Sequence, residues 1–126
     1  MKTAALVIRI LLGLIFTVFG LNGFLHFLPN PPMPTPAMNF FGALFATGYM
    51  IPLLFATQLV GGVLLLVGIF VPLALLILAP VIVNIFFFHL FLAPGGLPLA
   101  IVVVAFEIFL AWRNMAAFES LFGPAA

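Results

Sequence analysis

From Ile10 to Phe106 the chain carries no Asp, Glu, Lys or Arg. No water-soluble surface can be built from so long an uncharged stretch, since about a quarter of an ordinary globular chain is charged. Within the stretch, Pro72 to Leu92 reads PLALLILAPVIVNIFFFHLFL. A helix of that length rises about 1.5 Å per residue and crosses the roughly 30 Å of bilayer hydrocarbon. Pro80 is tolerated in such a helix because neighbouring helices or trapped water satisfy the carbonyl it frees. The whole chain of 126 residues is 67% hydrophobic and 4% charged, with a mean hydropathy of +1.53. That leaves room for about four spans joined by short loops.

The first span begins with Lys2 and Arg9 and then runs apolar. A signal peptide is the competing reading, but a small-x-small cleavage pattern is missing and further spans follow. Arg9, Gly13, Thr17 and Gly20 fall on one helical stripe, whose small residues predict a close helix contact. Residues 29–36, PNPPMPTP, cannot continue a helix and favour an extended, semi-rigid connection. Next, AMNFFGALFATGYM repeats its apolar residues at helical spacing, which predicts a short interfacial or re-entrant helix with Tyr49 at headgroup depth. The second span holds Gln58 as its strongly polar side chain, with Gly61 and Gly62 permitting close backbone approach. Gly68 to Pro72 turns tightly into the third span, and APGGLP turns into the fourth. In the fourth, Glu107 lies near the middle and Trp112 with Arg113 forms an interfacial anchor. The tail from Asn114 reads as a frayed amphipathic turn.

The expected fold is therefore all-α: a single transmembrane domain over residues 1–126, built as an antiparallel four-helix bundle integral to the membrane. Its spans cover about 4–28, 51–70, 72–92 and 97–113, with the short interfacial helix between the first two. Lys2, Arg9 and Arg113 lie toward the termini while the loops carry no charge. The positive-inside rule then places both termini in the cytoplasm of a cell inner (plasma) membrane, although so thin a bias also permits dual topology in an antiparallel dimer.

With that orientation, helical rise puts Asn22, His26, Gln58, Asn84 and His89 within roughly 13 Å of the outer surface. Buried donors and acceptors need partners that lipid cannot supply, so these five are the candidate ligand contacts, walled by phenylalanines 24, 27, 86, 87 and 88. His89, about three residues from the outer end of its helix, is the expected proton donor. The structural alternative is interhelical hydrogen bonding that fixes packing, at about 0.6 kcal/mol per bond. Arg9 and Glu107 lie at matched depth and are read as an intramembrane ion pair. His26 and His89 have no third good ligand at their depth, so no metal site is expected. The absence of Cys removes disulfide and thiolate chemistry. A net charge of +1 gives no footprint for nucleic acid.

The strings RILLGLIFTVFGLNGF from Arg9, TGYMIP, QLVGGVLLLVG, VPLALLILAPVIVNI and FHLFLAPGGLPLAIVVVAFEIFLAW through Trp112 resemble the DoxX family of small membrane proteins. Arg9, Asn22, Asn84, His89 and Glu107 match positions that recur in that pattern. Departures occur where Gly23 and Gln58 stand, at positions where similar members often carry lysine and glutamate. The resemblance implies a four-helix membrane bundle linked to quinone-coupled oxidoreductases acting on thiosulfate, or to complexes that handle oxidative stress. It implies a small subunit with no intrinsic cofactor, a bound quinone and partner redox subunits as candidate associations, and no established catalytic residue; the thin charge bias adds a homo-oligomer. A non-enzymatic membrane scaffold and a small solute or proton-coupled carrier are the alternative functions.

Overall fold

A computed structural model describes residues 2–28 and 32–122, and all of its regular structure is helical. Helix α1 spans Lys2–Leu25, α2 Thr35–Ala46, α3 Met50–Val67, α4 Val71–Phe91, α5 Leu97–Arg113 and α6 Met115–Phe122, with a single 3-10 turn at Pro94–Gly96 before α5. Helices α1, α3, α4 and α5 with its leading turn are each long and apolar enough to cross a bilayer. The chain is a multi-pass membrane protein, and side chains such as Val60, Val83 and Ile108, exposed on the outside of the bundle, meet lipid.

The bundle closes on a core in which Leu12 and Phe16 of α1, Leu65 of α3, Ala74, Leu75, Leu78, Val81 and Ile82 of α4, and Val103 and Leu110 of α5 pack together. On α4 these residues recur at helical spacing and so form one inward stripe. The tightest pairing is between α1 and α3. A Cβ on Gly62 would lie 2.5 Å from Thr17 N, and one on Gly20 would lie 2.7 Å from Leu59 N. The two backbones are thus in direct contact, as the small-residue stripe on α1 predicts. Gly61 turns the other way, against Leu78 of α4.

Helix ends follow local chemistry. Helix α1 stops at Leu25, three residues earlier than expected, because Asn22 Oδ1 accepts the Leu28 N–H at 2.7 Å and His26 adopts a left-handed φ of 52°. Of the expected semi-rigid connection at 29–36, residues 29–31 lie outside the described residues, and Thr35 and Pro36 are not extended but open α2, where a proline fits the first helical turn. Thr47 Oγ1 donates to Leu44 O at 2.7 Å and accepts from Met50 N at 3.0 Å, joining the end of α2 to the start of α3. Gly68, at φ 77°, ends α3 by donating its N–H to Leu64 O at 2.9 Å. Pro80 lies inside α4, as a membrane helix permits.

The segment after Asn114 is a helix rather than a frayed turn. Asn114 Nδ2 donates to Leu110 O at 2.7 Å, Asn114 O accepts from Ala117 N at 3.0 Å, and Phe118 packs against the core. Those anchors supply the tertiary support that an isolated eight-residue helix lacks.

Candidate functional site

The C-terminal ends of α1 and α4 and the N-terminal ends of α3 and α5 lie at one end of the bundle, where α2 folds back over them. Between α2 and the bundle is a cavity of about 240 Å³. Its wall is aromatic: Phe16 and Phe19 come from α1, Phe40 and Phe41 from α2, Phe55 from α3 and Phe88 from α4. Helix α2 is held there by ring contacts, with the Phe40 and Phe41 centroids 5.6 and 5.2 Å from that of Phe88. Such arrangements add about 0.5 to 1.5 kcal/mol per pair beyond area burial.

Three polar side chains line the cavity: Gln58, Asn84 and His89. Gln58 is buried, with 6% of its surface exposed. Among the described residues no protein group hydrogen-bonds the Gln58 or Asn84 side chain. The Gln58 amide therefore opens onto the cavity with its donors and its acceptor free of protein partners.

His89 is placed by two local features. Its Nδ1 lies 3.2 Å from Ala93 O, and because a carbonyl can only accept, Nδ1 carries the proton. In the neutral ring Nε2 is then a free acceptor. The ring also rests against Gly96, where a Cβ would collide with the imidazole. With Nδ1 turned to Ala93 O, it is Nε2 that the ring has left for the cavity.

Of the five candidate ligand contacts, the structure brings Gln58, Asn84 and His89 together and leaves Asn22 and His26 elsewhere. Asn22 spends its carbonyl oxygen on the Leu28 N–H at the end of α1, and His26 is exposed in the turn beyond. Among the phenylalanines expected around the site only Phe88 lines it. Phe24, Phe27 and Phe87 are exposed. The missed wall residues Phe40 and Phe41 sit on α2, and their helical spacing was the available signal. Gly23 packs beneath Phe55, whose ring occupies the space a side chain at that position would need. A longer side chain at Gly23 has no room unless Phe55 moves.

The expected Arg9–Glu107 ion pair is not formed. Arg9 Nη1 donates to Leu65 O at 2.8 Å, while Glu107 Oε1 is buried without a hydrogen-bond partner. Leu65 belongs to the last turn of α3, whose carbonyls have no helical donor, and a guanidinium suits the negative end of a helix. The glycine contacts that press α1 onto α3 turn Arg9 toward that helix end rather than toward α5.

Compared with known protein families, residues 4–90 match the family model described as DoxX. The chain belongs to the DoxX family. Neither a curated protein nor a solved structure matches it. The DoxX match takes in α1 to α4 almost completely, and with them Gln58, Asn84 and His89.

Proposed function

We propose that this DoxX protein is a small membrane subunit of a quinone-linked redox or oxidative-stress complex, and that the cavity beneath α2 holds the ring of a quinone or quinol. The observation that carries this reading is the buried Gln58 amide, unbonded by protein and facing an aromatic cavity beside Asn84 and His89. The fit is favourable in size, since an apolar cavity of about 150 Å³ already takes benzene and this one measures about 240 Å³. It is favourable in chemistry as well: the Gln58 and Asn84 amides offer N–H donors to ring carbonyls, and neutral His89 Nε2 offers an acceptor to a ring hydroxyl.

A bound quinone would supply two-electron, two-proton chemistry. The chain's own part is to orient the ring between amide donors, to exclude water with six phenylalanines, and to take a proton at His89 Nε2 when a hydroxyl faces it. With no cysteine in the chain, thiol redox is closed to it, and the electron carrier belongs to partner subunits. The termini lie in the cytoplasm, on the side favoured by Lys2 and Arg113, which sets the cavity in the outer half of the membrane.

Quinone-to-protein ratios measured by mass spectrometry after mild detergent extraction test this reading. Wild type should retain quinone, and Gln58→Leu, Asn84→Leu and His89→Phe should each lose most of it while melting as cooperatively as wild type. Equal occupancy in all four proteins would reduce the polar cluster to packing and favour a scaffold.

A further inference from the structure

The opposite end of the bundle carries a second cleft, of about 300 Å³. Lys2, Arg9 and Arg113, the only Lys and Arg residues of the chain, all line it. Neither Glu107 nor Glu119 does. They arrive from different places: the first turn of α1, its third turn, and the last turn of α5. Three cations converging without an acid repel one another, and an anion among them relieves that repulsion.

Arg9 is held in advance. Its Nη1 is fixed on Leu65 O and its guanidinium lies against Gly68, so Nε and Nη2 keep donors with no partner among the described residues. Lys2 and Arg113 are exposed and can close on a ligand from either side. Beside the charges the wall is mostly apolar, with Ala5, Leu6, Val71 and Leu110, and Asn114 is its one uncharged polar residue. A freely hydrated anion has no use for that wall, whereas the glycerol and upper acyl chain of a lipid does.

We propose that this cleft binds the phosphate of an anionic phospholipid, with Arg9 as the fixed donor and Lys2 and Arg113 as closing charges. Its position at the N-terminal ends of α1 and α4 and the C-terminal end of α5 suits headgroup depth. The site lies at the far end from the cavity beneath α2, so its test is independent of whether that cavity binds quinone.

Native mass spectrometry of wild type, with phosphatidylglycerol and phosphatidylcholine at equal concentration, should show one phosphatidylglycerol retained preferentially. Arg113→Gln should cut that preference about fivefold, and Lys2→Gln with Arg113→Gln about fivefold more, whereas Arg113→Lys should preserve it. Both substituted side chains are exposed, so the fold and the Arg9 contact should persist, as an unchanged melting transition would show. Equal retention of the two lipids by wild type, or an undiminished preference in the double variant, overturns the proposal. Displacement of phosphatidylglycerol by inorganic phosphate alone also overturns it, by making the cleft a soluble-anion site.

Discussion

Arg9 and Glu107 are the two charges that sit inside the spans, and the structure gives them separate fates. Arg9 closes the C-terminal end of α3 through Leu65 O, while Glu107 shares the α5 face of Val103 and Leu110 and leaves Oε1 without a partner. Because they do not interact, Arg9→Gln and Glu107→Gln should add in a double-mutant cycle read by detergent melting, to within about 0.5 kcal/mol. A larger coupling would mean that the two side chains meet. Arg9→Gln should be the costly change, at roughly 1 to 3 kcal/mol, because it strips a charged hydrogen bond from a helix end. Gly96 makes a sharper test of the cavity. Gly96→Ala places a methyl where the His89 imidazole lies, so it should release bound quinone nearly as well as His89→Phe. Retained quinone in Gly96→Ala would show that the ring's placement does not matter.

Among the elements, α1 and α3 form the rigid half of the bundle and α2 the loosely held part. Gly62→Ala would put a Cβ 2.5 Å from Thr17 N, a backbone atom that cannot step aside. Overpacking of this kind costs about 1 to 3 kcal/mol, and a melting temperature equal to wild type would contradict the direct backbone contact. Helix α2 buries only Ala37 fully and rests on Phe88 through two rings. Phe88→Ala should therefore raise hydrogen exchange across residues 37–46 while leaving α4 protected, and unchanged exchange in α2 would show that other contacts hold it. The spans were legible in the sequence because apolar length alone decides them, and helical rise brings Gln58, Asn84 and His89 to one level of the bundle, where they line one cavity. Rotation about each helix axis was not legible. Helical rise groups Asn22 with the other contacts, yet α1 ends at Leu25 and the Asn22 side chain caps that end instead. Arg9 and Glu107 were likewise matched in depth but not in direction. The spacing of Phe40 and Phe41 marks an apolar helix face, but where that face docks is a tertiary event, fixed by the contact with Phe88, so the sequence does not assign these rings to the wall.

For the whole molecule, the bundle has two dissimilar ends: an aromatic cavity with uncharged polar groups at one, and a cleft holding every Lys and Arg at the other. That polarity favours one orientation. Reporters fused after Ala126 and within the Pro94–Gly96 turn should mark a cytoplasmic terminus and an external turn, whereas reversed labelling would put the cavity in the inner leaflet and mixed labelling would indicate dual insertion. The binding of a quinone ring beneath α2 is tested most directly by photolabelling with an azidoquinone and mapping the modified peptides. Label should concentrate on residues 40–44, 54–58 and 84–89 and be suppressed by unlabelled quinone; label spread over the lipid-facing sides of α1, α4 and α5, and indifferent to competitor, would contradict it.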